Sequence, residues 1–272
     1  PSNVYTWRQM AEPVGAKVVT VERRQGERWD EAILEAITER TKIIACAHTH
    51  WVDGGAVDLV AVGARGREVG AALVVDLTQS LGAQPFDAEA IQPDFAVSAC
   101  YKWLLGPYSI GFMYVAPQHR NGVGLEQNWL LRHNAQDFAN LINYQDGYAP
   151  GARRFDMGER ANFQLMPQAM ASLELLLDQD PAQIARALGD LNDDIARRLE
   201  KLGCRAETER VRAPHYLCTR LPADAPPGIA FELQEQQIYI SQRGPNLRIT
   251  PHLHVSDADV DRLVEALTAI LG

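Results

Sequence analysis

The sequence predicts an α/β fold, a mostly parallel sheet with crossover helices, followed by a smaller α+β domain. Two observations carry this expectation. Apolar, β-branched runs alternate with segments of helical spacing between Lys17 and Ala99. Strand, helix, strand in repetition implies parallel pairing with crossover helices. From Pro181 onward the pattern changes to helices mixed with shorter strands. The expected layout is a large domain over 1–160, a connecting helix over 161–180 and a small domain over 181–272.

In chain order, Lys17–Glu22 (KVVTVE) reads as a strand. Asp30 looks like the N-cap of EAILEAITER, where Ile33, Leu34 and Ile37 follow helical spacing. Lys42–Ala47 is a buried strand, Val57–Val69 a helix weakened by Gly63 and Gly66, and Ala72–Asp76 a strand again. Phe95–Ala99 and Ile110–Ala116 are close enough in sequence to pair. The stretch from Pro117 to Pro150, rich in Asn, Gln and Gly, reads as irregular, lining a site or a subunit contact. Ala161–Leu177 reads as a helix despite Pro167, and Pro181 opens another that stops at Gly203. Short elements follow in HYLCTRL, GIAFELQEQQ, IYIS and LRIT. Ser256 with Asp259 resembles a capping box for a last helix, Asp257–Leu271.

Composition narrows the function. The chain of 272 residues is 46% apolar and carries a net charge of −9 with both signs interspersed, which argues against a nucleic-acid partner. Four scattered cysteines form no C-x-x-C pair, so a reduced, cytoplasmic setting is expected. No apolar run reaches membrane-spanning length.

Sites in open parallel sheets gather at the carboxyl ends of strands. Asp76 ends one apolar strand, and Lys102 follows shortly after another. An acid and an amine facing each other across a pocket suit pyridoxal phosphate (PLP), whose aldehyde needs an amine and whose pyridine nitrogen needs a carboxylate. Lys102 sits between aromatics in C-Y-K-W-L-L-G-P, surroundings that lower an amine's pKa.

The runs D-L-T-Q-S-L-G-A, D-F-A-V-S-A-C-Y-K-W-L-L-G-P and I-G-F-M-Y-V resemble the class V aminotransferase family of fold type I PLP enzymes. That family includes cysteine desulfurases, kynureninases and isopenicillin N epimerase-like proteins. The resemblance implies a Schiff base on Lys102, which also moves the substrate α-proton, and Asp76 at the pyridine nitrogen. It implies Gln79 near the phenolic oxygen, with Thr78, Tyr101, His48 and Trp51 around the cofactor or substrate. Arg248, in N-L-R-I-T-P-H-L-H, matches the late arginine that grips the substrate α-carboxylate. Arg243 is a second candidate. R-R-F-D-M-G-E-R-A-N-F resembles the element whose Thr reaches the partner subunit's phosphate, but Glu159 stands in its place. A carboxylate repels phosphate, so Asn162 or a backbone N–H is the expected substitute there. The family's Ser ahead of the lysine is Ala99 here. The resemblance further implies a homodimer and an upstream region with a ring-stacking residue and a phosphate loop. P-S-N-V-Y-T-W at the start reads like mid-protein, so the large domain is expected to be incomplete at its N-terminus.

A rival reading comes from A-H-T-H-W-V-D, which approaches the H-x-H-x-D-H zinc motif of hydrolases. Its spacing fails, because Val52 takes the acid's place and no His follows Asp53. Within the PLP reading the substrate is an amino acid. The loop before Arg248 holds no Cys, which disfavours a desulfurase. Transamination is the expected reaction, with elimination or epimerisation as alternatives.

Overall fold

A computed structural model describes residues 2–272. Its first sheet has the order β1-β2-β3-β4, formed by β1 (Ile43–Ala47), β2 (Ala72–Asp76), β3 (Phe95–Ala99) and β4 (Gly111–Val115). The first three strands are parallel and β4 is antiparallel to β3, so the sheet is mostly parallel, as expected. Helices α1 (Ser2–Ala11) and α2 (Trp29–Ala36) precede it; α3 (Leu59–Glu68) and α4 (Ala88–Ile91) cross between its strands. Ile44, Leu73, Val75 and Ala96 pack one face of the sheet against Ile33, Leu59 and Val62 of the helices. The two glycines that weakened the sequence case for α3 are needed for packing. A Cβ on Gly63 would meet the Ile91 carbonyl, and one on Gly66 would press on Ile44.

The second sheet, of order β5-β6-β8-β7, is antiparallel throughout. It comprises β5 (Arg205–Ala206), β6 (Leu217–Arg220), β7 (Ser241–Arg243) and β8 (Asn246–Ile249). Helices α6 (Pro181–Glu200), α7 (Ile229–Glu235) and α8 (Asp257–Leu271) share its core through Ile195, Leu199, Ile229, Leu233 and Leu267. The capping box on α8 is present, with Ser256 and Asp259 bonded reciprocally. Helix α5 (Leu165–Gln179) leads into α6, and Pro181 sits in the first turn of α6, where its missing N–H has no partner to lose. Among the described residues no helix is long and apolar enough to cross a membrane.

Three local expectations need correction. Lys17–Glu22 is not a strand: no neighbouring chain offers it a ladder, and Val18 and Val19 are exposed. β-branched residues make a strand only where a sheet receives them. Asp30 is not an N-cap but sits inside the first turn of α2, buried, where it accepts from the Asp58 N–H and from Arg28. The IYIS strand is displaced to Ser241–Arg243, where it pairs with β8 across a short turn.

Candidate active site

Two loops carry the predicted acid and amine, and the fold presses them together. Asp76 closes β2, and its Oδ1 accepts the Thr78 N–H at 2.9 Å. Thr78 Oγ1 accepts the Ala99 N–H at 3.3 Å, which ties this loop to the end of β3. The chain after β3 turns sharply, with the Leu105 N–H on the Lys102 carbonyl and the Gly106 N–H on the Cys100 carbonyl, both at 2.9 Å. Gly82, at φ +98°, lies so close to the Trp103 carbonyl that a Cβ there would collide with it. The loop after Asp76 is therefore seated directly on the loop that presents Lys102.

Lys102 is half-buried. Burial lowers its pKa, the Asp76 carboxylate works in the opposite direction, and the Arg248 guanidinium lowers it further. The amine thus lies within the electrostatic reach of both predicted partners. Arg248 comes from β8, and its guanidinium stands over the Tyr216 ring at 5.3 Å with its buried Nε unpartnered. An unpartnered donor in a buried place is costly unless something takes it up. His48 follows β1 and donates its backbone N–H to the Asp76 carbonyl at 3.1 Å. Burial holds the His48 ring's pKa down at about 4, so the ring is neutral at pH 7. The Gln84 amide lies 3.1 Å from both ring nitrogens, and Phe86 meets the ring edge-on.

The remaining predicted residues divide. Gln79 is in the same loop, its carbonyl bonded by His215. Trp51 is partly exposed, and its carbonyl accepts from Tyr216 at 2.6 Å. Tyr101 is 39% exposed and stacks on Tyr108 at 4.3 Å, and its ring centroid lies 5.7 Å from Lys102 Nζ, beside the predicted amine. Arg243 is exposed on β7. Glu159 is also exposed, at φ +52°, while Asn162 Oδ1 caps the Leu165 N–H at the start of α5.

The H-T-H segment does not assemble metal ligands. His50 Nδ1 is bound to Asp53 at 2.7 Å, and its ring lies 4.5 Å from that of Trp29. Burial pushes the Asp53 pKa up, but His50, the Gly55 N–H and Arg23 outweigh it and hold it at about 2. Among the described residues no group of three His, Cys, Asp or Glu is placed to hold a metal ion.

Two residues had no signal in the sequence. His215 is fully buried, places Nε2 2.5 Å from the Gln79 carbonyl, and meets the Trp103 ring at 4.5 Å and 82°. Because a carbonyl only accepts, Nε2 carries the proton, and the buried Nδ1 has no partner. Burial lowers this ring's pKa to about 4, against a smaller opposing effect from the Gln79 bond. Tyr216, beside it, is also fully buried.

The sequence profile described as "Aminotransferase class-V" matches residues 1–255. The chain belongs to that family. Among curated class V relatives, a probable cysteine desulfurase 2 of Mycobacterium leprae is 28% identical over 171 residues, 63% of this chain and 39% of that protein. The fold matches the crystal structure of the cysteine desulfurase CsdA of Escherichia coli with a TM-score of 0.83 and 21% identity, over 99% of this chain and 69% of that one. It also matches a C-DES mutant solved with glycine covalently linked to its PLP cofactor, with a TM-score of 0.78 and 19% identity, over 97% and 70%. The chain thus spans part of the length of these class V relatives, well under half in the Mycobacterium leprae match.

Proposed function

We propose that this chain is the lysine- and arginine-bearing part of a PLP-dependent enzyme that acts on the α-amino group of an amino acid. The observation that carries the reading is the meeting of Asp76, Lys102 and Arg248 in one electrostatic neighbourhood, where the loop after Asp76 packs on the backbone of the Lys102 loop and β8 supplies Arg248. The donor set fits the cofactor: a carboxylate at a strand end, a half-buried amine, and a guanidinium whose buried Nε awaits an acceptor. When bound, PLP supplies a ring that takes up the electron pair of a bond broken at the substrate Cα.

Asp76 would hold the pyridine nitrogen, and Gln79, Thr78, His48, Trp51 and Tyr101 would line the cofactor or substrate. Lys102 would join the aldehyde and move the proton at the substrate Cα. Burial lowers its pKa, which raises the unprotonated fraction a base requires. Arg248 would clamp the α-carboxylate with two parallel hydrogen bonds, and so fix which Cα bond is exposed to attack. His48, kept neutral at pH 7 by burial, would add no charge to the site.

Transamination is the reaction this reading favours, with elimination or epimerisation as the alternative. Desulfuration needs a thiolate, and burial raises the pKa of all four thiols: Cys46 to about 12, Cys218 to about 11, and Cys100 and Cys204 also upward. We place the large domain at 1–160, the connecting helix at 161–180 and the small domain at 181–272. The four free cysteines suit a cytoplasmic setting. A homodimer is part of the proposal. Ile142, Tyr144 and Phe163 are more than 80% exposed within one irregular stretch, and such apolar surface marks a contact.

The test is a spectrum. The full-length protein supplied with PLP should show a visible absorption band that Lys102→Ala removes, with turnover falling roughly 10²–10⁴-fold. A colourless wild type would overturn the reading. Screening amino acids for ketoacid, ammonia and sulfide release then separates the reactions.

A further inference from the structure

We propose that Tyr216 is a positioning residue that sets the Arg248 guanidinium relative to the Lys102 loop and locks Trp51 beside it. The proposal rests on the PLP reading for the role of Arg248, but its geometry stands independently. Cys218 of β6 lies directly opposite Arg248 of β8. Tyr216 is two residues before Cys218, so its side chain falls on the same face, diagonal to Arg248. The aromatic ring, fully buried, lies 5.3 Å from the guanidinium carbon, within the range of a cation–π contact. The hydroxyl at the ring's far end donates to the Trp51 carbonyl at 2.6 Å. One rigid side chain therefore engages the arginine through its ring and its hydroxyl, and holds the 48–56 loop with that same hydroxyl.

The surroundings are built for this approach. Gly54, at φ +71°, is packed so tightly that any Cβ would strike the Tyr216 ring and carbonyl. The Ala213 N–H bonds the Gly54 carbonyl at 2.8 Å, and the Ala56 N–H bonds the Val211 carbonyl at 2.9 Å. Asn192 of α6 holds the Pro214 carbonyl at 2.8 Å. Next to Tyr216, His215 bonds the Gln79 carbonyl and packs on Trp103. Adjacent residues thus register the arginine strand against both loops of the site. Burial raises the Tyr216 pKa to about 12, with Arg248 pulling the other way, so the hydroxyl remains a donor at every working pH. A guanidinium held on an aromatic face loses less freedom when it grips a carboxylate, and this favours ligands that carry one.

The experiment compares two probes on the cofactor-loaded, full-length protein: L-alanine, and ethylamine, which is the same molecule without the carboxylate. Binding of each is read from the change in cofactor absorption. Wild type should prefer L-alanine. Tyr216→Leu should reduce that preference roughly tenfold, the loss of one partly desolvated cation–π contact, with ethylamine binding unchanged. Tyr216→Phe keeps the ring but loses the hydroxyl's bond to Arg248, and should retain part of the preference. In the cofactor-free protein it should nevertheless speed amide hydrogen exchange in residues 48–56. Equal preference in wild type and Tyr216→Leu, or unaltered exchange in Tyr216→Phe, overturns the proposal. So does a Tyr216→Leu protein that loses both probes equally with faster exchange in both sheets, which would mean plain packing. A wild type that never loads PLP refutes the functional reading instead, and the exchange arm then decides the role of the hydroxyl alone.

Discussion

The two sheets of this protein are finished to different degrees. In the second, Leu217, Leu247 and Ile249 of the central strands are 0–3% exposed, and three helices share their core. In the first, one face is packed against helices and the other is partly open. Ala47, Asp76, Val97 and Met113 form one row across the other face, by register. Val97 and Met113 in that row are 37% and 36% exposed, and Ile43 on the same face is 50% exposed. The difference teaches where chemistry sits. The predicted cofactor acid projects from the open face, and the arginine comes from the closed sheet, so the site is assembled where one sheet's packing stops and the other's begins. A side chain inside a finished core has all its contacts satisfied; one at a margin is free to serve a ligand.

The two sheets should differ most in what a truncated side chain costs. Leu247→Ala should cost about 2–5 kcal/mol, because a fully buried strand residue leaves a cavity behind. Val97→Ala, on the open face, should cost under about 1 kcal/mol. Urea unfolding of both variants measures the gap, and equal costs would mean that the open face is covered in solution.

The seam between the sheets should respond to acid. His215 and His48 have folded-state pKa values of about 4 against an ordinary 6.5, in both cases because burial disfavours the charged ring. The unfolded chain binds these protons first. Their contribution is therefore complete above pH 6.5 and is lost as the pH falls from 6.5 toward 4. At 1.36 kcal/mol per unit, each ring accounts for at most about 3 kcal/mol across that window. The urea midpoint should fall between pH 7 and pH 5, and His215→Phe should flatten the fall. A midpoint independent of pH over that range would contradict the burial of both rings.

The range of the forces involved decides which features the sequence displays. Strands β1 to β3 announce themselves because parallel strands of a packed sheet are written as apolar runs, β4 because its apolar run follows β3 closely enough to pair with it, and the capping box of α8 is local chemistry. Asp76 and Lys102 are legible because each follows a strand end, and parallel strands deliver their ends to one edge. Lys17–Glu22 misled because its own residues favour a strand that no neighbour completes. His215 and Tyr216 gave no signal because their partners, Gln79 and Trp51, lie 136 and 165 residues away, and only the folded chain joins them. Tyr101 adjoins the lysine in sequence, and its ring meets both Tyr108 and the Lys102 amine, a contact that neighbours within one turn can make.

The smallest energetic effect concerns the open face itself. Met113 lies on β4, whose Phe112 and Tyr114 are exposed on the opposite side, so the strand is uncovered on both faces up to the buried Val115 at its end. Among the described residues β4 also ends the sheet, with β3 as its single neighbour. An edge strand with apolar side chains and unpaired backbone groups is a template for another chain, and a lysine there is the usual deterrent. Met113→Lys should change unfolding stability by no more than about 0.5 kcal/mol, since a partly exposed position accepts a long polar side chain. It should nevertheless lower self-association of this 272-residue chain, as read by light scattering across a concentration series. If Met113→Lys instead destabilises the fold strongly while association is unchanged, β4 is packed in solution. The open and closed sheets would then differ less than their exposures imply.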